Sequence, residues 1–226
     1  MQLVNNESST KDEITLSIIV PVYNEQEVLP IFHHQLAKVL SLLTSEHVEV
    51  IYVNDGSRDE SWNVMLNLTS HYAIVECINL SRNFGKEAAM TAGIDSAKGQ
   101  AVILLDADLQ DPPELIPQML AAWRQGYDVV NMKRSARLGE SKFKCWTAHV
   151  YYRLLDYLSD VPLQKDVGDF RLLSRRVVDS IKQLSEKSRY MKGILSWPGY
   201  KQTTICFDRP ERAAGDTKWS FIQLVK

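Results

Sequence analysis

Two aspartates, Asp106 and Asp108, are separated by one residue and come directly after the apolar run Ala101–Leu105. Carboxylates at positions i and i+2 of a turn can reach one cation, and hard oxygen ligands suit Mg²⁺ or Mn²⁺. Such an ion can bridge the phosphates of a nucleotide diphosphate and neutralise the charge that grows on it as it leaves. Because aspartate is common in turns after strands, the spacing alone is a weak signal. Gln110 and Asp111 strengthen it, and we predict a metal site at Asp106, Asp108 and Gln110.

Polar residues also follow two earlier apolar runs. Pro21, Tyr23 and Glu25 come after the first run, and Asp55 comes after the second. A carboxylate at the end of a strand can accept the imino N–H of a uracil or guanine ring, although an Asp before Gly is at least as typical of a plain turn. Pro21, Tyr23 and Glu25 are likewise open to interpretation as a strand terminator, a core aromatic and a helix-start acid. Backbone near Pro21 can line a nucleobase pocket.

Basic residues stand at two places in the second half of the chain. Arg134 and Arg137 follow the fifth apolar run, where guanidinium groups can grip a phosphate and the hydroxyl group of Ser141 can add a contact. Arg212 and Lys218 flank a glycine turn and can close over a diphosphate. A solvated or mobile surface loop is the alternative for both segments.

Two further segments can contribute to a site. Asn83 and Lys86 open the third predicted helix beside Arg82. A helix N-terminus near a cation favours an anion, and helix capping by Asn83 is an equal alternative. Asp169 stands two residues before Arg171. It can act as a base or orient an arginine near a substrate, or it can simply pair with Arg171.

Apolar runs alternate with stretches of helical periodicity through the first half of the chain. This alternation is typical of crossover units and a mostly parallel sheet. Ligands bind outside the carboxyl ends of the strands in such sheets. The three acidic clusters, which contain Glu25, Asp55 and Asp106–Asp111, fall at those ends. The predicted strands are Leu16–Val20, Val48–Val53, Ile74–Ile78, Ala101–Leu105 and Asp128–Met132, and the predicted helices are Gln26–Leu43, Ser61–His71, Lys86–Ala97 and Pro113–Gln125.

The second half is predicted to hold three helices, Lys142–Ser159, Ser174–Leu184 and Tyr190–Trp197, and a strand, Tyr200–Phe207. The segment Asp169–Leu173 is expected to lead into the second of these helices. The first helix carries a broad apolar stripe flanked by basic residues. This stripe is more typical of core packing than of a helix that lies on a bilayer.

The bulk properties of the 226-residue chain fit a folded domain, with 45% hydrophobic and 24% charged residues. A formal net charge of −2 does not favour a polyanion binder, and we expect no nucleic-acid partner. The 3 cysteines are widely spaced and fit neither a zinc site nor a disulfide framework. We find no signal peptide and no apolar window long enough to span a membrane. Residues 1–14 are expected to form a flexible tail.

The ordered motifs together resemble the polyprenyl-phosphate branch of the family 2 glycosyltransferases, which includes dolichyl-phosphate mannose synthases and bactoprenol glucosyltransferases. The resemblance covers roughly residues 15–226, and Arg82–Glu87 and Met191–Trp197 are most similar to the bactoprenol glucosyltransferases. The motifs that carry it are Pro21-Val22-Tyr23-Asn24-Glu25, Asn54-Asp55-Gly56-Ser57, Asp106-Ala107-Asp108-Leu109-Gln110-Asp111-Pro112, Gly168-Asp169-Phe170-Arg171 and Ala214-Gly215-Asp216-Thr217-Lys218.

The resemblance implies a GT-A fold, in which a Rossmann-like, mostly parallel sheet has helices on both faces. It implies a single catalytic domain over residues 15–226, in which residues 15–132 bind the nucleotide sugar and residues 133–226 bind the acceptor. Asp169 matches the position of a catalytic residue and acts with Asp108. The implied nucleotide-sugar contacts are Pro21, Tyr23, Glu25, Asp55, Asp106, Ala107, Asp108, Gln110, Arg212 and Lys218, the metal ligands are Asp106, Asp108 and Gln110, and the acceptor-phosphate contacts are Arg134, Arg137 and Ser141.

The implied activity is inverting transfer of a hexose, foremost glucose from UDP-glucose, to undecaprenyl phosphate, with Mg²⁺ or Mn²⁺ as cofactor. The implied location is the cytoplasmic face of a membrane, and the oligomeric state stays open. Related bactoprenol enzymes usually continue into two membrane helices, so this chain is expected to be a trimmed domain or to reach the membrane in another way.

Several alternatives stay open at this point. The donor can be GDP-mannose or another nucleotide sugar, and the acceptor need not be a lipid. A nucleotide-binding module without activity is a further alternative. A sugar-nucleotide pyrophosphorylase ranks low, because that class needs a glycine-rich loop where Pro21–Glu25 stands.

Overall fold

The computed structural model describes residues 14–72, 74–135, 167–183 and 199–208. Within these ranges lie seven strands and five helices. The strands are β1 (Leu16–Val22), β2 (Val48–Asn54), β3 (Val75–Asn79), β4 (Ala101–Leu104), β5 (Val129–Arg134), β6 (Val167–Ser174) and β7 (Gln202–Phe207). The helices are α1 (Leu29–Leu40), α2 (Ser61–His71), α3 (Lys86–Ser96), α4 (Ile116–Arg124, after a short 3-10 turn at Pro113–Leu115) and α5 (Arg175–Gln183).

The strands form one sheet in the order β3-β2-β1-β4-β6-β5-β7. Strand β6 runs antiparallel to its neighbours β4 and β5, and every other pairing among the described strands is parallel. The sequence prediction of a mostly parallel α/β sheet is therefore confirmed. The order also places β1 between β2 and β4, so the loops that follow these three strands lie side by side. They lie at the carboxyl ends of the parallel strands, which we call the carboxyl edge of the sheet.

Helices cover both faces of the sheet, as expected. Ile18 and Val20 of β1 lie in a core with residues of α1, α2 and α4, whereas Ile19 lies in a second core with residues of α3 and α5. Successive side chains of a strand point to opposite faces. Burial on both faces therefore favours the nearly continuous apolar runs that β1, β2 and β4 show in the sequence.

Strand β6 is absent from the sequence prediction, in which Asp169–Leu173 only leads into a helix. The structure places this segment in the middle of the sheet, where Leu172 pairs with Ile103 of β4 and Val130 of β5. Two charged residues interrupt its apolar pattern, and its partner strands come much earlier in the chain. A local pattern does not signal such a strand, because pairing with distant strands stabilises it.

Pro21 does not end β1 as predicted, since the strand continues to Val22. The Ile19 carbonyl oxygen accepts a hydrogen bond from the backbone N–H of Leu105. Alternate residues of a strand present their backbone groups to the same neighbour, so the Pro21 nitrogen faces the β4 side. Pairing with β4 has ended by then, at Leu104. The missing N–H of proline therefore costs no ladder hydrogen bond.

The other element bounds agree with the sequence prediction to within a few residues. Helix α2 has the predicted bounds, the predicted helix Gln26–Leu43 shortens to α1, and Pro113–Gln125 divides into the 3-10 turn and α4. The predicted strand Asp128–Met132 continues two residues further, to Arg134 at the end of β5. This extension brings a predicted phosphate ligand onto the sheet.

Several predicted features lie outside the described residues. They are residues 1–13 of the tail, the helices Lys142–Ser159 and Tyr190–Trp197, and the side chains of Arg137, Ser141, Arg212 and Lys218. Among the residues that the structure describes, no helix is both long enough and apolar enough to cross a membrane.

Candidate active site

The loops after β1 and β2 are tied together at the carboxyl edge of the sheet. The backbone N–H of Asp55 donates to the Val22 carbonyl oxygen at 2.8 Å. The backbone N–H of Glu25 donates to the Ser61 hydroxyl oxygen at 2.7 Å. The loops after β1 and β2 thus share one corner of this edge. Of the predicted nucleoside contacts, Pro21, Tyr23 and Glu25 are half-buried here and Asp55 is buried.

Asp169 lies at the same edge because β6 is antiparallel and begins where its neighbour β4 ends. Leu104 of β4 pairs with Arg171, and the same register continued by two residues sets Asp106 opposite Asp169. The side chain of Lys86, the first residue of α3, joins these two carboxylates. Its Nζ lies 2.7 Å from both carboxylate oxygens of Asp106 and 2.6 Å from Oδ2 of Asp169.

The cluster of Lys86, Asp106 and Asp169 is partly open to solvent, with 39%, 26% and 18% of the respective side chains exposed. Burial disfavours the charged form of Lys86. The carboxylates of Asp106 and Asp169 outweigh this effect and raise the pKa of the ammonium group above its usual value. Lys86 is therefore a permanent cation at neutral pH, and its charge is shared between two anions.

The turn after β4 holds the predicted metal ligands. Oδ1 of Asp108 accepts a hydrogen bond from the backbone N–H of Gln110 at 3.1 Å. Leu109 between them has a φ of 61°, a left-handed conformation that non-glycine residues adopt rarely and often near functional sites. Ala107 and Gln110 are buried, whereas Asp106 and Asp108 are half-buried. The two carboxylates of the turn are therefore the members that a ligand can reach.

The chemistry of this turn fits a hard divalent cation. Carboxylate oxygens of Asp106 and Asp108 are suitable ligands, and the ammonium group of Lys86 already takes a cation's place, equidistant from the two oxygens of Asp106. Within the described ranges, no group of three or more His, Cys, Asp or Glu side chains is arranged to hold a metal ion. A metal bound here would need further oxygen ligands, which the phosphates of a nucleotide can supply.

Asp111 and Arg134 form an ion pair beside this turn. The Asp111 side chain is 1% exposed, and its Oδ1 accepts a hydrogen bond from Arg134 Nη2 at 3.3 Å. Its Oδ2 has no hydrogen-bond partner among the described residues. Burial, together with the negative charge of Asp106, raises the pKa of Asp111 to about 6 against the opposing effect of Arg134. The pair holds Arg134, a predicted phosphate ligand, at the carboxyl edge.

We expect Asp111→Asn to raise the stability of the metal-free protein at neutral pH and to leave it unchanged near the unfolded-state pKa. The folded-state pKa of about 6 exceeds the unfolded value. The folded protein therefore binds the extra proton between these two values and loses stability as the pH rises through that window. The gain above the window should be roughly 2 to 3 kcal/mol. Urea denaturation in EDTA measures it, and a variant that is no more stable at neutral pH would contradict the expectation.

Asp55 anchors the segment that precedes α3. Its buried carboxylate accepts hydrogen bonds from the backbone N–H groups of Phe84 at 2.7 Å and Gly85 at 3.0 Å. The anion at this helix start is thus supplied by the chain itself. The N-cap residue is Gly85 and no side chain caps the helix, so the alternative of capping by Asn83 is wrong. A contact of Asp55 with a nucleobase stays a prediction, and its anchoring role also fixes the backbone of Lys86.

Gly56 lets the Asp55 loop approach the same segment closely. Its φ is +64°, and a Cβ atom here would lie 2.4 Å from the carbonyl carbon of Arg82 and 2.5 Å from the nitrogen of Asn83. We expect Gly56→Ala to lower the free energy of unfolding by roughly 2 to 4 kcal/mol.

Gly126→Ala is the matched control for Gly56→Ala in chemical denaturation. Gly126 also has a positive φ, of 86°, but a Cβ atom there meets nothing within 4 Å. Its replacement should cost only about 1 kcal/mol. Equal losses in the two variants would show that backbone conformation, and not the close approach to Arg82 and Asn83, decides the effect.

Arg171, the predicted partner of Asp169, is buried. Its Nη2 donates to the Gly168 carbonyl oxygen at 2.6 Å and its Nε to the Asp169 carbonyl oxygen at 3.4 Å. Burial lowers the pKa of Arg171 to about 10, although the charges of Asp169 and Glu87 oppose this effect. The guanidinium group thus braces the start of β6 through the backbone, while the Asp169 carboxylate accepts a hydrogen bond from Lys86.

Sequence reasoning missed two contacts at this edge: that of Lys86 with the carboxylates, and that of Asp111 with Arg134. From the sequence, Lys86 belongs only to a helix start for which anion binding and capping by Asn83 are equal alternatives. A signal for the first contact was nevertheless present in the predicted topology. A helix that follows a parallel strand begins at the carboxyl edge, so a lysine in its first turn can reach carboxylates at the ends of neighbouring strands.

The fold and the acidic edge are typical of a class of protein, the α/β proteins that bind ligands outside the carboxyl ends of parallel strands. Comparison with known proteins makes the class specific. Residues 17–182 match the family described as glycosyl transferase family 2. The chain belongs to this family and is a glycosyltransferase.

Within this family, the chain is similar to bactoprenol glucosyl transferases and to an uncharacterized glycosyltransferase. The chain is 43% identical over 205 residues to the prophage bactoprenol glucosyl transferase homolog of Escherichia coli K12, covering 91% of this chain and 67% of that protein. It is 42% identical over 205 residues to the bactoprenol glucosyl transferase of Shigella phage SfV, covering 91% and 66%. An uncharacterized glycosyltransferase of Synechocystis sp. is 46% identical over 213 residues, covering 93% and 66%. The chain thus spans about two thirds of the length of these relatives.

Solved structures agree with the GT-A-like fold. Glucosyl-3-phosphoglycerate synthase from Mycobacterium tuberculosis, in complex with Mn²⁺ and UDP-glucose, has a TM-score of 0.59 at 16% identity, covering 94% of this chain and 74% of that chain. TarS of S. aureus has a TM-score of 0.54 at 17% identity, covering 85% and 58%. At these identities the likeness shows the fold alone.

Proposed function

We propose that this protein transfers glucose from UDP-glucose to a polyprenyl phosphate such as undecaprenyl phosphate, with inversion at the anomeric carbon. The proposal depends above all on one observation. The chain is 42–43% identical, over 91% of its length, to proteins named as a bactoprenol glucosyl transferase or a homolog of one. The charged side chains at the carboxyl edge of the sheet support the proposal.

The nucleoside of the donor is proposed to lie in the corner between the loops after β1 and β2. Pro21, Tyr23 and Glu25 are half-buried there. The two carboxylate oxygens of Asp55 each accept one backbone N–H, from Phe84 and Gly85. A carboxylate oxygen has two lone pairs, so Asp55 can still accept the imino N–H of a uracil ring.

The diphosphate of the donor is proposed to lie over the turn after β4. Asp106, Asp108 and Gln110 would hold Mg²⁺ or Mn²⁺ there, and this ion when bound neutralises the charge on the leaving diphosphate. The half-burial of both carboxylates supports this role, because a ligand can reach them without unfolding the turn. The predicted ligands that lie outside the described residues are Arg212 and Lys218 for the donor and Arg137 and Ser141 for the acceptor.

The acceptor phosphate is proposed to meet Arg134. Asp111 orients this side chain, and a Cβ atom at Gly168 would lie 3.6 Å from its Nη2. The guanidinium group therefore lies beside the start of β6, next in sequence to Asp169. A lipid phosphate is already ionised near neutral pH, so its oxygen can attack without a strong base. Asp169 is then best suited to stabilise the positive charge that develops on the sugar.

The proposed division of labour gives residues 15–132 to the donor and residues 133–226 to the acceptor. Strand β6 belongs to the second part but pairs with β4 of the first. Asp169 therefore joins the donor edge from the acceptor part, where the two substrates have to meet. A polyprenyl phosphate is a membrane lipid, and the proposed place of action is the cytoplasmic face of a membrane.

A donor panel tests the proposed function. The protein is incubated with Mg²⁺, a short polyprenyl phosphate and either UDP-glucose or GDP-mannose, and the lipid-linked sugar is measured. We expect lipid-linked glucose from UDP-glucose. Product from GDP-mannose alone would identify GDP-mannose as the donor. Release of the nucleotide with transfer of the sugar to an acceptor other than the lipid would contradict the lipid acceptor. Binding of nucleotide without any turnover would identify a binding module.

A further inference from the structure

Lys86 holds two carboxylates together that would otherwise repel each other. Its Nζ is equidistant from both oxygens of Asp106, at 2.7 Å, and lies 2.6 Å from Oδ2 of Asp169. Asp106 follows β4 and Asp169 begins β6, so this single ammonium group links the proposed donor turn to the proposed sugar-stabilising carboxylate. A cation that contacts both oxygens of one carboxylate takes the place that a metal ion would take on Asp106.

The backbone of Lys86 is fixed, whereas its ammonium group stands at the end of a flexible side chain and, among the described residues, is held only by the two carboxylates. Lys86 is the first residue of α3, whose Ala89, Met90 and Ile94 are buried in the core. The preceding residues, Phe84 and Gly85, are held by Asp55. The Lys86 side chain is nevertheless 39% exposed, and its four-carbon stem is flexible. The ammonium group can therefore leave Asp106 without any change in the fold.

A divalent cation and the ammonium group cannot share Asp106 without strong repulsion, because like charges a few ångströms apart interact strongly in a partly buried site. A metal ion that arrives alone has to displace Lys86 and leave it near a new positive charge. A metal ion that arrives with a nucleoside diphosphate brings negative charge, which gives the displaced ammonium group a new partner.

We propose that Lys86 is a positioning residue that competes with the metal ion for Asp106 and so makes metal binding depend on the diphosphate of the donor. The inference rests on the proposed function, in that it takes Asp106 as a metal ligand. In this proposal Lys86 occupies the metal position on Asp106 until the metal ion and the donor are both present. Asp169 keeps its contact with the ammonium group throughout and is held facing the sugar.

Direct measurement of Mn²⁺ binding, from the electron paramagnetic resonance signal of the free ion, tests this role without any turnover. Without nucleotide, Lys86→Met should bind Mn²⁺ at least about tenfold more tightly than the unaltered protein. Lys86→Arg, which keeps the charge, should bind Mn²⁺ as weakly as the unaltered protein. UDP should strengthen Mn²⁺ binding by a larger factor in the unaltered protein than in Lys86→Met.

Lys98→Met is the matched control, since Lys98 pairs with Glu76 at 3.0 Å and lies before β4 at the opposite edge of the sheet. It removes one positive charge and should leave Mn²⁺ binding unchanged. If Lys86→Met binds Mn²⁺ no more tightly than the unaltered protein while Asp108→Asn weakens binding, the metal site stands and the competition is refuted. If no variant binds Mn²⁺ even with UDP, the metal role in the proposed function is itself overturned.

Discussion

Replacement of Asp108 by asparagine is expected to lower the turnover rate by roughly 10³-fold with little change in stability. Oδ1 of Asp108 accepts the backbone N–H of Gln110, and the amide oxygen of an asparagine can keep this contact. Asparagine also suits the tight turn around Leu109. Only the negative charge is lost, and with it a strong ligand for the proposed metal ion. Formation of lipid-linked sugar and thermal unfolding measure the two effects.

Two further variants separate charge from structure at this turn. Asp108→Ala should lose turnover to the same degree and should also lose about 1 kcal/mol of stability, because the Gln110 N–H loses its partner. Asp179→Asn is the control, because it removes a half-exposed carboxylate on α5 that pairs with Arg175. Arg175 also donates a hydrogen bond to the Gly99 carbonyl oxygen, at the opposite end of the strands. This variant should change neither turnover nor stability. A folded Asp108→Asn protein that turns over within about tenfold of the unaltered rate would contradict the metal role.

Replacement of Asp169 by asparagine is expected to lower turnover by roughly 10²- to 10³-fold, because the proposed role of this residue is to place a preorganised charge next to the reacting carbon. The defect should be the same at pH 7 and at about pH 9, where the acceptor phosphate is fully ionised. Initial rates of lipid-linked product at saturating donor measure it. Asparagine keeps the size of the side chain, and the hydrogen bonds of Arg171 to the backbone at residues 168 and 169 do not involve the carboxylate.

The pH dependence of this defect separates two roles for Asp169. A general base is dispensable once its proton has already left the acceptor. If the rate of Asp169→Asn recovers toward that of the unaltered protein as the pH rises, Asp169 acts as a base and charge stabilisation is not its role. A defect that persists over the whole range supports stabilisation of the sugar.

The parallel part of the sheet was predictable from local patterns. Strands β1, β2 and β4 are buried on both faces and are therefore mostly apolar. Strand β6 could not be predicted in this way. It carries Asp169 and the buried Arg171 within its span, and its pairing with β4 and β5 becomes visible only in three dimensions.

The candidate site likewise has a part that local sequence patterns predict and a part that they do not. The acidic turns stand directly after predictable strands, so their convergence at one edge follows from topology. The hydrogen-bond and ion-pair partners of these carboxylates do not follow from topology. Lys86 and Asp169 are 83 positions apart in the sequence, and Asp55 satisfies backbone N–H groups 29 and 30 positions away. Contacts of such separation depend on how the loops pack, which no local pattern records.

The proposed inverting transfer is tested by the anomeric configuration of the product formed from UDP-glucose and a polyprenyl phosphate. The glucose of UDP-glucose is α-linked, so in-line attack by the phosphate oxygen has to give a β-linked glucosyl phosphate. Proton and phosphorus NMR of the purified lipid product distinguishes the two linkages. We predict the β-linked lipid. An α-linked lipid would contradict inversion, and release of UDP with no sugar on the lipid would contradict transfer to a polyprenyl phosphate.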